Sequence, residues 1–137
     1  MKRIFLIISM MMAVTAEGQL KKINDIIGRW DIAGEQESGA FLQIIDSTTI
    51  LLTYNGETKK ISNIKIDCSK SPCWFDFAAT DTSDVVHVKS IIEKVGDDMI
   101  KWQLFIDEER TPYFTARKGE LLYLKKARTA VITARSN

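Results

Sequence analysis

From Trp30 to Lys126 the chain is a succession of short segments that alternate with a period of two, each closed by a tight turn. Nine such segments at roughly ten-residue spacing restrict the fold to a sandwich or a barrel. No long stretch of helical period separates them, which excludes parallel β-α-β units. Ala40, Leu42 and Ile44 alternate with Phe41, Gln43 and Ile45, so that segment is apolar on both faces. After Thr49–Tyr54 comes Asn55-Gly56, a hairpin signal because both residues accept a positive φ. Ile61 and Ile64 differ in parity, which predicts a bulge near Asn63. Cys73, Phe75, Phe77 and Ala79 share one face, and Val86 and Val88 alternate with His87 and Lys89. The clearest alternation is Ile100, Trp102, Leu104 and Ile106. Tyr113–Ala116 reads as a further short strand, and Leu121–Lys126 as the last. Sequential hairpins favour an up-and-down meander, whose two free edges are removed if its ends pair with each other. The expected fold is an all-β, up-and-down antiparallel barrel of eight to nine strands, entered through a short helical turn at Leu20–Ile27.

The first sixteen residues read as a targeting segment rather than as part of the barrel. Lys2 and Arg3 precede an apolar run, Ile4–Met12, and Ala13-Val14-Thr15-Ala16 supplies small residues for signal-peptidase cleavage. The run is too short to span a bilayer as a helix. The expectation is an exported protein, periplasmic or secreted, with residues 1–16 removed and residues 17–137 forming one domain. Removal of Lys2 and Arg3 takes the formal net charge from +1 to −1. That near-neutral balance gives no electrostatic reason to expect a nucleic-acid partner. Nothing in the pattern specifies an oligomeric state.

Cys68 and Cys73 are the only cysteines, separated by Ser69-Lys70-Ser71-Pro72, a turn composition. In an oxidising compartment they are expected to form a disulfide stapling two strands. A redox-active pair usually has two intervening residues and a following helix, whereas a strand follows here. His87 is the only histidine, too few ligands for a structural zinc site. No metal or other cofactor is expected.

Gly28-Arg29-Trp30 stands where the helical turn gives way to the first strand, and its large indole requires a closed core end. With the turn around Ile23–Ile27 before it and the meander behind it, the chain resembles the lipocalin and fatty-acid-binding superfamily in its short bacterial form. The resemblance implies that Gly28 and Trp30 plug one end of the barrel and that a basic residue near the last strand packs across the indole. Lys125, Lys126 and Arg128 lie in the right region, and Arg128 is preferred because a guanidinium stacks well on an aromatic face. The chain departs from the family in its shorter length. It departs also in its second motif, where Thr111-Pro112-Tyr113 has proline in place of an acid.

An eight-stranded barrel either holds one small ligand or is filled by its own side chains. Trp30 and Ile32 are expected to point inward near the plugged end. Tyr54, Phe75, Phe77, Trp102 and Leu104 are the candidate inner wall, although such residues also fill cores that hold no ligand. The leading expectation is a binding protein for a small hydrophobic molecule. The alternative is a barrel that binds or inhibits a protein such as a metalloprotease, using Glu17-Gly18-Gln19-Leu20 as an inserting arm. Catalysis is not expected: His87 with Ser90 or Ser83 is the only conceivable nucleophile–base pair, and His87 falls on the outward side of its strand.

Overall fold

A computed structural model describes residues 19–34, 39–81 and 83–127. Residues 1–18, which include the expected signal segment, and residues 128–137, which include Arg128, lie outside the described residues. Eight strands follow a single 3-10 turn at Ile23–Ile26: β1 (Gly28–Ile32), β2 (Phe41–Ile44), β3 (Ile50–Tyr54), β4 (Glu57–Asp67), β5 (Cys73–Asp81), β6 (Asp84–Val95), β7 (Met99–Phe105) and β8 (Glu120–Lys126). Each pairs antiparallel with the next, and β1 pairs with β8 through Trp30–Lys126 and Ile32–Leu124. The barrel is closed, so neither end of the meander exposes an unpaired ladder.

Local sequence chemistry sets the turns. Asn55 and Gly56 take φ of 52° and 78° between the paired residues Tyr54 and Glu57, the two positive values a tight hairpin needs. The β4–β5 register breaks between Ser62 and Lys65, with Asn63 at φ 51°, so the bulge restores Ile64 and Ile66 to the inner wall beside Ile61. Cys68 and Cys73 are disulfide-bonded across the β4–β5 turn. That bond is compatible with an oxidising, exported location.

The closed half of the barrel is solidly packed. Trp30, Leu42, Ile44, Ile50, Phe75, Ile92, Ile100 and Leu124 are buried there with Ile23 and Ile26 from the 3-10 turn. Each such side chain contributes about 1.5–3 kcal/mol by leaving water. The turns at this end are capped by exposed aspartates. The Asp25 carboxylate accepts from the backbone N–H groups of Lys21 and Lys22, Asp46 from the N–H and hydroxyl of Thr48, and Asp67 from the hydroxyl and N–H of Ser69. These hydrogen bonds hold all three carboxyls below the usual value, led by the Lys21 N–H, the Thr48 N–H and the Ser69 hydroxyl respectively. A depressed folded-state pKa means stability that is complete above the unfolded value of 3.8 and is lost as pH falls through the folded values. In a pH series of thermal melts, D25N/D46N/D67N is expected to fall less steeply below about pH 4 than the native protein. Parallel acid limbs would show that these caps are not coupled to folding.

The expected strand at Tyr113–Ala116 is not formed, which leaves eight strands rather than nine. Residues 106–119 instead run as a strap over the outer faces of β5, β6 and β7. The Gln103 side chain takes the place of a neighbouring strand. Its amide donates to the carbonyls of Thr115 and Lys118, and its Oε1 accepts from the Thr115 N–H at 3.0 Å. Arg110 anchors the front of the strap to Asp76 at 2.6 Å and to the Ser90 carbonyl at 3.2 Å. Lys101 Nζ lies 4.7 Å from the Phe114 ring centroid. Gly119 closes the strap at φ 62°, where any Cβ would overlap the Leu104 carbonyl and crowd the Phe105 ring. Outward-facing Ile91, Gln103 and Phe105 are thereby fully buried, although none belongs to the interior core cluster.

Candidate functional site

The two ends of the barrel differ. At the closed end Trp30 is 1% exposed, and its Nε1 donates to the Ile26 carbonyl at 2.8 Å. That bond ties the plug to the 3-10 turn and satisfies a buried indole donor. The basic residue at the indole is Lys126, whose Nζ lies 5.9 Å from the ring centroid, at the outer limit of a cation–π contact. Barrel closure puts it there, since Lys126 is the register partner of Trp30. Arg128 lies outside the described residues. Gly28, at φ 137°, has the Lys126 stem 3.8 Å from where a Cβ would stand.

The opposite half of the barrel is hollow. A cavity of about 530 Å³ is walled by Ile32, Leu52, Phe77, Val88, Trp102 and Leu104, with Ala79, Val86, Ile106 and Leu122 completing the apolar surface. All but Ile106, which follows β7, are inward positions of their strands, so period-two alternation built most of this wall. The floor is an aromatic cluster: Phe77 and Trp102 have centroids 5.8 Å apart, and Phe75 stacks beneath them at 5.3 and 5.8 Å. Trp102 is held from behind by a short relay, in which its Nε1 donates to Ser90 Oγ at 2.9 Å and that hydroxyl donates to the Phe75 carbonyl. The relay orients the Trp102 indole and satisfies its buried donor.

Four of the five expected wall residues, Tyr54, Phe77, Trp102 and Leu104, line this cavity. Phe75 faces inward as expected but lies below the floor, fully buried. Ile32, expected to point inward near the plugged end with Trp30, points inward but lines the cavity wall. The polar rim was not identified from sequence. Asn55, Glu57, Lys59, Thr80 and Glu120 stand around the mouth with half-exposed Tyr54. Glu57 and Glu120 are 63 residues apart in the chain, and both line the mouth.

The remaining sequence candidates fall elsewhere. Ser90 is buried under Trp102, whereas His87 is exposed on the outer face, so the two do not form a nucleophile–base pair. Ser83 is exposed in the β5–β6 turn. Leu20 is 8% exposed, with its carbonyl 3.4 Å from Cys73 Sγ. The end of the expected inserting arm is therefore part of the closed-end packing. Among the described residues no cluster of His, Cys, Asp or Glu is arranged to hold a metal ion, and no helix is long and apolar enough to cross a membrane.

A second concavity lies outside the barrel, where the strap meets β5 and β6. Trp74 and Tyr113, 38% and 73% exposed, line it with Lys70, Lys89 and Arg110. The Arg110 guanidinium sits 4.0 Å from the Trp74 centroid and Lys70 Nζ 5.0 Å from it. Comparison with protein-family models, curated proteins and solved structures finds no match to this chain.

Proposed function

We propose that the protein is an exported, lipocalin-like carrier that holds one small hydrophobic molecule in the open half of its barrel. The observation that carries this reading is the 530 Å³ cavity above an aromatic floor. Its volume falls within the range of small-molecule sites, about 300–1,000 Å³. A closed core has no use for that space: filling it with side chains would add roughly 25 cal/mol of stability per Å² of apolar surface removed from water. The same gain is available to a ligand, with the rim groups fixing the orientation of its polar end. Export is supported by the order of charge, apolar run and small residues in Lys2–Ala16, and by the Cys68–Cys73 disulfide.

Native mass spectrometry of the disulfide-bonded protein with medium-chain alcohols, fatty acids and retinoid-like compounds tests this. One molecule is expected to bind per barrel. Ala79→Trp, which drives an indole into the cavity from β5, is expected to weaken binding at least tenfold while leaving the far-ultraviolet circular dichroism unchanged. Failure of every apolar compound to bind, or undiminished binding to Ala79→Trp, would refute the reading.

A further inference from the structure

The rim of the cavity has a charge bias that its apolar wall does not require. We infer that the cavity selects amphiphiles with a cationic head, such as alkylamines, over the matching carboxylates. This inference rests on the carrier reading above and specifies its ligand class. Glu57 from the start of β4 and Glu120 from the start of β8 both line the mouth, facing one ammonium group, Lys59. The exposed charges of the flanking turns are of both signs, Asp84 and Asp107 against Arg117 and Lys118, so the bias rests on the lining residues themselves. The remaining polar lining groups, Tyr54, Asn55 and Thr80, are neutral.

The shape of the site makes this bias matter. A cleft with low-dielectric walls and charge of one sign at its opening focuses the field along its axis. An amphiphile entering tail-first leaves its head among those carboxylates, at the level of half-exposed Tyr54, while its tail reaches Phe77 and Trp102. An ammonium head there gains attraction at a partly solvated site. A carboxylate head meets repulsion from at least two like charges and, among the described lining residues, finds one opposite charge, Lys59. Exposed ion pairs are individually weak, and two of them together amount to about a fivefold change in affinity.

Decylamine, decanol and decanoate share one tail, so titrating the protein with each isolates the head group. The amine is expected to bind about fivefold more tightly than the alcohol, and the carboxylate more weakly than the alcohol by a similar factor. The ratio of amine to carboxylate affinity is expected to shrink as salt is raised, and to collapse in E57Q/E120Q. Equal binding of all three compounds would overturn the head-group preference while leaving the carrier reading intact. Tightest binding of decanoate would also overturn it, because Lys59 would then dominate the rim. Binding of none of the three would overturn the carrier reading itself, and the preference with it.

Discussion

Trp30→Ala is expected to lower the unfolding free energy by about 3–5 kcal/mol, read as a fall in the urea midpoint followed by circular dichroism. The indole is 1% exposed and is packed at the closed end with the 3-10 turn, whose Ile23 and Ile26 are buried in the same core cluster. Its removal leaves a cavity that the hydrogen-bonded barrel wall cannot collapse to fill. A domain of this size has about 5–15 kcal/mol in total, so the loss is a large share. Trp30→Phe separates the two components of the effect. Most of the ring volume survives, and the Ile26 carbonyl alone loses its partner, for an expected cost of about 1 kcal/mol. Because the plug and the cavity occupy opposite ends, ligand affinity of folded Trp30→Phe is expected to match the native protein. A loss below about 1 kcal/mol in Trp30→Ala would contradict the plug.

Gln103→Ala is expected to cost about 2–4 kcal/mol and to release the strap. One side chain satisfies three backbone groups of residues 115 and 118, and no ladder is available to replace it. Truncation leaves those groups either unbonded beneath the strap or hydrated once the strap lifts. Lifting exposes Phe105 and Ile91, which lie outside the interior core and are fully buried only when covered. Limited trypsin digestion reads this directly, since Arg110, Arg117 and Lys118 all lie in the strap. Cleavage there is expected to be slow in the native protein and fast in the variant. Equal cleavage rates, with a stability change below about 0.5 kcal/mol, would mean that Arg110 and Gly119 hold the strap without Gln103.

The local features of this barrel could be read directly from the sequence. Asn55-Gly56 fixed a hairpin, the parity of Ile61 and Ile64 located a bulge, and the spacing of Cys68 and Cys73 gave a staple, each within a few residues. Inward and outward faces were legible for the same reason, because alternation is a local property. Depth along the barrel axis was not. Phe75 and Phe77 share a face, yet their offset along β5 puts one under the floor and the other in the wall. Gln103 was unreadable in a different way: a polar residue in an alternating strand reads as solvent-facing, and only the strap above it makes it buried. The same strap misled the reading of Tyr113–Ala116, whose β-forming residues satisfy their backbone through a side chain. Lys126 faces Trp30 through closure of β8 on β1, a pairing of the last strand with the first, and Glu120 and Glu57 share the mouth from distant parts of the chain.

The central claim is that the open half of the barrel takes up a small apolar molecule. Amide chemical-shift mapping of the isotope-labelled protein during titration with decanol tests it most directly. The account predicts saturable shifts, complete at a single equivalent, concentrated at Leu52, Ala79, Val88, Leu104 and Leu122 around the cavity. Shifts confined to Trp74, Lys89 and Tyr113 on the outer face, or no saturable shift at all, would contradict it.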